Sequence, residues 1–173
     1  SELPSGRQEI KTRALKGNQR KAAYDFIRNQ VQEGRQSFII CPLVEESEVI
    51  DARAAVAEHE RLSKEIFPEF RLGLLHGRMK PQEKEFVLKK FRDSEVDILV
   101  STAVVEVGID VPNATVMLVD GADRFGLSQL HQYRGRVGRG KYQSYCMFLS
   151  ESQSSDVAQR LETIEQTLDG FEL

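Results

Sequence analysis

The sequence VDILVSTAVVEVGIDVPNATVMLV, residues 96–119, decides the fold of this chain. Its two ends, Val96–Ser101 and Ala114–Val119, are short runs of mainly apolar residues. Runs of this kind are typical of strands that are covered on both faces, as the strands of a parallel sheet are by the helices that join them. The two runs therefore predict buried strands of an α/β domain.

The rest of the chain repeats this alternation of short apolar runs and helix-length segments. Further strands are predicted at Ile10–Leu15, Ser37–Cys41, Arg71–Leu75 and Ser144–Leu149. Helices are predicted after an Asn18 cap, from Asp51 to Ile66, after Pro81, over Gly126–Tyr133 and over Ser154–Leu168. We predict one doubly wound α/β domain, with a mainly parallel sheet of about six strands and helices on both faces. Because ligands of such sheets bind beyond the carboxyl ends of the strands, the segments after strands are the first candidates for a site.

The composition is that of a globular protein. Of the 173 residues, 40% are hydrophobic and 29% are charged, and no apolar run approaches the ~20 residues that span a bilayer.

Cys41 and Cys146 lie in separate apolar runs without metal-ligand or redox spacing, so both are predicted to be buried free thiols. The histidines are too scattered for a metal site. Residues 1–6 lack a signal-peptide pattern and a starting Met, so we expect a piece of a longer chain.

The net charge of −3 hides a strong local asymmetry. Residues 45–69 carry eight acids and three bases, whereas residues 124–141 carry five bases and no acid. A charge run is ordinarily a solvated face. The glycines among the arginines of the basic run favour a more specific role, because they allow a backbone to turn tightly and to approach a ligand.

Residues 135–141, GRVGRGK, match the G-x-x-x-x-G-K pattern of a phosphate-binding loop. The next residue is Tyr142, where the pattern requires Ser or Thr to hold Mg²⁺. The predicted flanks are also reversed, because this segment follows a helix and precedes a strand. The match is therefore interpreted as accidental, and the sequence offers no other phosphate loop to hold ATP.

Three segments carry side chains suited to phosphate chemistry. Gln132–Arg139 reads Q-x-x-G-R-x-G-R, and its guanidinium groups could reach the γ-phosphate of a nucleotide held by another lobe, as an arginine finger does. Residues 101–112 begin with the hydroxyls of Ser101 and Thr102 and continue to Gly108 and Asp110. The third segment is the His76–Gly77 turn. Each of them alone also has an ordinary structural interpretation, as a turn, a cap or an exposed charge.

Taken in order, these segments resemble the second RecA-like lobe of superfamily 2 helicases and translocases. Residues 41–43 are similar to motif IV of that superfamily, residues 101–110 to motif V and residues 132–139 to motif VI. The run 123–140 is similar to two bacterial groups, the RecG family of branch-migrating helicases and the transcription-repair coupling translocases. Residues 41–48, 75–80 and 169–173 favour the RecG family.

The resemblance implies a role for each candidate residue. Arg136 and Arg139 are expected to contact the phosphates of ATP, with Arg139 as the preferred finger. Gly108, Asp110 and Gln132 are expected on the nucleotide side, with Gln132 coupling it to the DNA. Ser101, Thr102 and His76 are expected to contact the DNA backbone. ATP and Mg²⁺ would be held mainly by a first lobe that is absent here, so the chain alone is expected to be inactive.

The same resemblance implies the whole to which this lobe belongs. Its partners would be branched DNA, such as stalled forks and Holliday junctions, and the N-terminal wedge domain and first RecA-like lobe of the same polypeptide. Residues 1–173 would form the second lobe, with 1–8 and 169–173 as linker or truncated ends, in the bacterial cytoplasm in association with the nucleoid. Three alternatives remain: a coupling translocase lobe, a nucleic-acid-binding module without ATP chemistry, and a protein-interaction domain.

Overall fold

Six parallel strands form one sheet, in the order β1-β6-β5-β2-β4-β3. The computed structural model describes residues 9–42, 47–102 and 110–167. The strands are β1 Ile10–Lys16, β2 Gln36–Ile40, β3 Leu72–Leu75, β4 Ile98–Ser101, β5 Ala114–Asp120 and β6 Ser144–Ser150. The predicted doubly wound parallel sheet is therefore confirmed. Residues 1–8 and 169–173, predicted as ends, lie outside the described residues.

Five α-helices cover the two faces of this sheet. They are α1 Arg20–Gln32, α2 Glu48–Arg61, α3 Pro81–Arg92, α4 Leu127–Arg134 and α5 Ser155–Thr167. One core lies beneath α1 and α2 and includes Ile27 and Ala55. The other lies beneath α3, α4 and α5 and includes Phe91, Leu130 and Leu161. The inner strands β2, β4 and β5 are buried at every residue, which is the pattern of residues 96–119 from which the fold was predicted, whereas the edge strand β1 exposes Lys11 and Lys16.

Two helix starts differ from the prediction. Asn18 does not cap α1, because Gly17–Gln19 form a 3₁₀ turn in which the Gln19 side chain accepts a hydrogen bond from the Lys16 N–H at 2.9 Å, and α1 begins at Arg20. The α2 helix begins at Glu48 rather than Asp51. Its first turn is extended because the Ser47 hydroxyl accepts a hydrogen bond from the Ile50 N–H at 3.4 Å.

Both cysteines are free and buried, as predicted, and burial raises the pKa of each thiol. Across the described ranges, no helix combines the length and the apolar character that a membrane crossing needs.

A buried ion pair closes the carboxyl end of β5. Both carboxylate oxygens of Asp120 accept hydrogen bonds from the Arg20 guanidinium, at 2.6 and 2.9 Å. Arg20 also donates to Glu151 at 2.9 Å and to the Tyr24 hydroxyl at 3.2 Å, and its pKa is raised above the ordinary value mainly by Asp120. The chain then turns at Gly121, whose φ of 63° is in the left-handed region. This network fixes α1 to the sheet.

Candidate functional site

The predicted site residues lie at two opposite edges of the sheet. His76 and Thr102 directly follow β3 and β4, so they lie at the carboxyl edge. Asp110 precedes β5, and Arg136 and Arg139 precede β6, so these three lie at the amino edge. The first candidates, at the carboxyl ends of the strands, are therefore only part of the predicted set, and the other part lies at the amino edge. The strands place the two groups on the order of 20 Å apart.

Thr102 is the most distinctive residue of the carboxyl edge. Its N–H donates to the Leu75 carbonyl at 3.1 Å, which holds the residue after β4 beside the end of β3. The side chain is buried, yet its hydroxyl has no hydrogen-bond partner in the described part of the chain. A buried hydroxyl without a partner is unfavourable unless a ligand or water supplies one. Ser101 differs, because its hydroxyl donates to the Thr102 carbonyl at 3.1 Å.

His76 completes this edge as a neutral donor. Its Nδ1 accepts a hydrogen bond from the Arg78 N–H at 3.1 Å, so the neutral ring carries its proton on Nε2. Burial lowers the pKa of His76, and Lys84 lowers it further, against the opposing effects of Glu83 and Glu48. The ring is therefore neutral near pH 7, and Nε2 can donate a hydrogen bond to a phosphate oxygen.

At the amino edge, the loop after α4 packs against the segment that carries Asp110. A Cβ atom on Gly140 would lie 2.8 Å from the Pro112 carbonyl oxygen, which only a glycine avoids at this approach. The Gly138 N–H donates to the Ser144 hydroxyl at 2.9 Å, which joins the same loop to the start of β6. The loop follows a helix and precedes a strand, as predicted for the false phosphate loop.

The three arginines of this region have different surroundings. The Arg134 guanidinium donates to the Thr12 hydroxyl at 3.0 Å and to the Ile10 carbonyl at 3.2 Å, so it joins α4 to β1. By contrast, Arg136 and Arg139 form no side-chain hydrogen bond or ion pair with any described residue. Arg136 is half-buried and Arg139 is exposed. Two guanidinium groups without a described partner on one loop are available to bind an anion.

The remaining predicted residues are placed as follows. Asp110 is exposed near the Gly140 contact, and Gln132 is on the exposed side of α4. Gly108 falls within residues 103–109, outside the described part. The sequence predicted a nucleotide group and a DNA group, and the structure places Asp110, Arg136 and Arg139 of the first at the amino edge and His76 and Thr102 of the second at the carboxyl edge.

One contact of the amino edge was missed. The Arg35 guanidinium stacks on the Tyr142 ring at 3.5 Å, and the pKa of Tyr142 is lowered by Arg35 and Lys141. The stack joins the loop after α4 to the residue before β2. Nothing in the sequence links these two positions, because the contact depends on β2 and β6 lying on either side of β5 in the sheet.

The parallel sheet and its two helical layers place the chain in the class of RecA-like α/β domains. The sequence profile of the helicase conserved C-terminal domain matches residues 18–141, so the chain belongs to this family. The similarity to RecG proteins predicted from the motifs is confirmed by relatives and by a solved structure.

The chain is 56% identical over 170 residues to the ATP-dependent DNA helicase RecG of Synechocystis sp., covering 98% of this chain and 20% of that protein. It is 46% identical over 172 residues to the RecG protein of Thermotoga maritima, covering 99% of this chain and 22% of that protein. A structure of RecG bound to a three-way DNA junction matches with a TM-score of 0.79 and 43% identity, over 99% of this chain and 22% of that one. The chain thus spans about a fifth of these relatives.

Proposed function

We propose that this chain is the C-terminal motor lobe of an ATP-dependent DNA helicase or translocase that remodels branched DNA in recombination and repair. The observation that carries the proposal is the contact of Gly140 with Pro112, which brings the loop of two unpaired arginines beside the segment of Asp110. The names of the similar proteins support the same activity. Its setting would be the bacterial cytoplasm, close to the nucleoid.

The amino edge is the ATP side of the lobe. Arg136 and Arg139 contact the phosphates of an ATP molecule that the first lobe of the polypeptide holds, with Arg139 as the finger. A guanidinium group fits phosphate oxygens because its donors form a planar fork. Asp110 and Gly108 line the nucleotide, and Asp110 can accept a hydrogen bond from a sugar hydroxyl. Among the described residues no group of three or more His, Cys, Asp or Glu could hold a metal ion. The Mg²⁺ that accompanies ATP would be held mainly by the first lobe, as the resemblance implies.

The carboxyl edge is the DNA side. The Thr102 hydroxyl and the Nε2–H of His76 contact the sugar-phosphate backbone, whereas the Ser101 hydroxyl is already used within the fold. Contacts of this kind position the DNA without reading its sequence. The wedge domain of the same polypeptide would supply the preference for branched DNA.

The positions of the two edges suggest how ATP hydrolysis is coupled to movement along DNA. ATP holds the two lobes together because both contact it, and hydrolysis weakens the contact between them. Repeated closure and opening, while the carboxyl edge holds a DNA backbone, moves the lobe along the strand. Gln132 lies one turn before Arg136 and couples the arginines to this motion. A coupling translocase is not favoured, because the chain is 56% and 46% identical, across nearly its whole length, to two RecG proteins. A module without ATP chemistry could also bind phosphates through Arg136 and Arg139, but it does not account for the similarity to proteins named ATP-dependent DNA helicases.

Replacement of Gly140 by alanine is expected to lower ATP turnover by about 10- to 100-fold. The added Cβ would push the arginine loop away from Pro112, and small displacements of catalytic groups lower the rate strongly. Turnover can be measured in a hybrid in which this chain replaces the matching lobe of Synechocystis RecG. Gly126→Ala is the matched control, because its Cβ meets nothing within 4 Å. Equal turnover in the two variants would contradict the placement of the ATP site.

Replacement of Thr102 by valine is expected to weaken DNA binding about tenfold while raising the free energy of unfolding by about 1 kcal/mol. Valine keeps the shape of the side chain and removes a buried hydroxyl that has no partner in the described part of the fold. Fluorescence anisotropy with forked DNA and urea unfolding measure the two effects.

Thr115→Val is the control, because the Thr115 hydroxyl is also buried without a described partner but lies inside β5. The control should stabilise the fold and leave DNA binding unchanged. If Thr102→Val bound DNA as tightly as the unaltered chain, Thr102 would not be a DNA contact.

A further inference from the structure

A groove runs along α2 at the carboxyl edge, outside the residues assigned so far. It has a volume of about 330 Å³ and is lined by Val49, Ala52, Arg53, Val56 and Arg78. Val49 and Val56 expose 41% and 46% of their surface, although α2 otherwise packs on the sheet. Arg78 lies two residues after His76 and its N–H donates to the His76 Nδ1 at 3.1 Å, so the groove adjoins one of the predicted DNA contacts.

The two arginines of this groove are unpaired. Neither Arg53 nor Arg78 forms a side-chain hydrogen bond or an ion pair with any residue of the described ranges. Elsewhere in the chain, exposed arginines such as Arg71 and Arg92 are paired with carboxylates. Arg53 lies in the most acidic part of the sequence, and it still has no carboxylate partner among the described residues. The groove therefore resembles the amino edge, where Arg136 and Arg139 are also unpaired.

We propose that this groove binds the sugar-phosphate backbone of a DNA strand as the strand leaves Thr102 and His76. Arg53 and Arg78 bind phosphates from the two sides of the groove, and Val49 and Val56 contact the apolar faces of the sugars. This inference rests on the proposed function and extends its DNA contacts from the sheet edge onto α2. In this proposal α2 forms part of the DNA-binding surface, although its sequence is acidic overall.

Charge complementarity favours a phosphate backbone over another protein as the occupant. The groove has a small apolar floor and two cations, whereas a stable protein interface needs a larger buried area. One carboxylate opposes the proposal locally: Glu48 packs over Gly77, where a Cβ atom would collide with it. Glu48 is therefore expected to weaken phosphate binding at Arg78, and its neutral analogue to strengthen it.

The test is the salt dependence of DNA binding by this chain. A labelled single-stranded oligonucleotide is titrated between about 50 and 200 mM salt, where the slope of log K against log salt counts the phosphates that are neutralised. The double variant R53A/R78A is expected to bind about tenfold more weakly, with a slope shallower by about 0.7 for each lost contact. R53K/R78K should keep most of the slope, and E48Q should raise the affinity.

Two controls locate the effect. R92A removes an exposed arginine of α3, on the opposite face of the sheet, and should bind as the unaltered chain does. A photoreactive group on V56C should cross-link to the DNA, whereas the same group on Q159C of α5 should not. Both labels are selective because Cys41 and Cys146 are buried.

The possible outcomes separate this inference from the proposed function. If R53A/R78A binds with unchanged affinity and slope while T102V binds weakly, the groove proposal is wrong and the DNA edge stands. If the unaltered chain binds no DNA at low salt, both are wrong for this lobe. R53A/R78A could instead leave DNA binding unchanged and weaken the binding of this chain to the separate wedge and first-lobe fragment of Synechocystis RecG. The groove would then be a protein contact, and the proposal would be overturned.

Discussion

Replacement of Arg139 by alanine is expected to lower DNA-stimulated ATP turnover by about 10³-fold or more, which is the usual scale for loss of an arginine finger. The reason is that Arg139 is exposed at the amino edge without any partner in the described part of the fold, next in sequence to the Gly140 contact with Pro112. A guanidinium group in this position is available to stabilise the charge that develops on a transferred phosphoryl group.

The measurement is steady-state ATP turnover of the hybrid with Synechocystis RecG, in the presence of forked DNA. Arg139→Lys keeps the charge and loses the planar fork, so it should restore only a small part of the rate. Arg92→Ala is the matched control for removal of an arginine and should stay within twofold of the unaltered hybrid, as expected of a surface pair. The affinity for DNA in the absence of nucleotide should be the same in the unaltered hybrid and in each of these variants.

Arg136→Ala decides between the two candidate arginines. If Arg139 is the finger, Arg136→Ala should raise KM for ATP more than it lowers kcat, because Arg136 then contributes to ground-state binding. The reverse pattern would transfer the role of the finger to Arg136. Full turnover in both alanine variants would contradict the assignment of the amino edge to ATP.

Replacement of Asp120 by alanine is expected to lower the free energy of unfolding by about 3 kcal/mol, with a loss of about 10 °C in Tm. Asp120 is 6% exposed and accepts two hydrogen bonds from Arg20, so the substitution leaves a partly buried guanidinium without its main partner. Because Arg20 keeps its contact with Glu151, the loss should be at the lower end of the range for buried ion pairs. Urea and thermal unfolding of this chain measure it.

Two controls show whether the effect belongs to the buried pair. Asp25→Ala removes a half-exposed carboxylate of the same helix that pairs with Lys21 and Arg28, and should cost no more than about 1 kcal/mol. The double variant Arg20→Met with Asp120→Leu removes both charges and should recover much of the stability, because no buried charge remains unpaired. If Asp120→Ala were as mild as Asp25→Ala, the pair would not hold α1 to the sheet.

The strands could be predicted because burial on both faces favours apolar residues along most of a run, as in Val96–Ser101. The start of α1 could not be predicted in this way. Asn18 is a good capping residue, but the Gln19 side chain reaches back to the Lys16 N–H and forms a 3₁₀ turn first. Such a competition between two local hydrogen bonds depends on the direction in which the chain leaves β1.

Which side chains of the basic run are paired within the fold could not be predicted from the sequence. Arg134, Arg136 and Arg139 lie in the same run, yet Arg134 is bonded to Thr12, which lies 122 positions earlier. The requirement for glycine at position 140 also comes from a distant residue, Pro112. Long-range contacts of this kind follow from the order of strands in the sheet, which a single sequence does not specify.

The division of the ATP site between two lobes is tested most directly by ATP turnover of this chain alone and joined to the wedge domain and first lobe of Synechocystis RecG. We predict no turnover by the chain alone, with or without forked DNA, and turnover that forked DNA stimulates in the joined protein. Turnover by the chain alone would show that it holds ATP itself, and would contradict the interpretation of residues 135–141 as an accidental match to a phosphate loop.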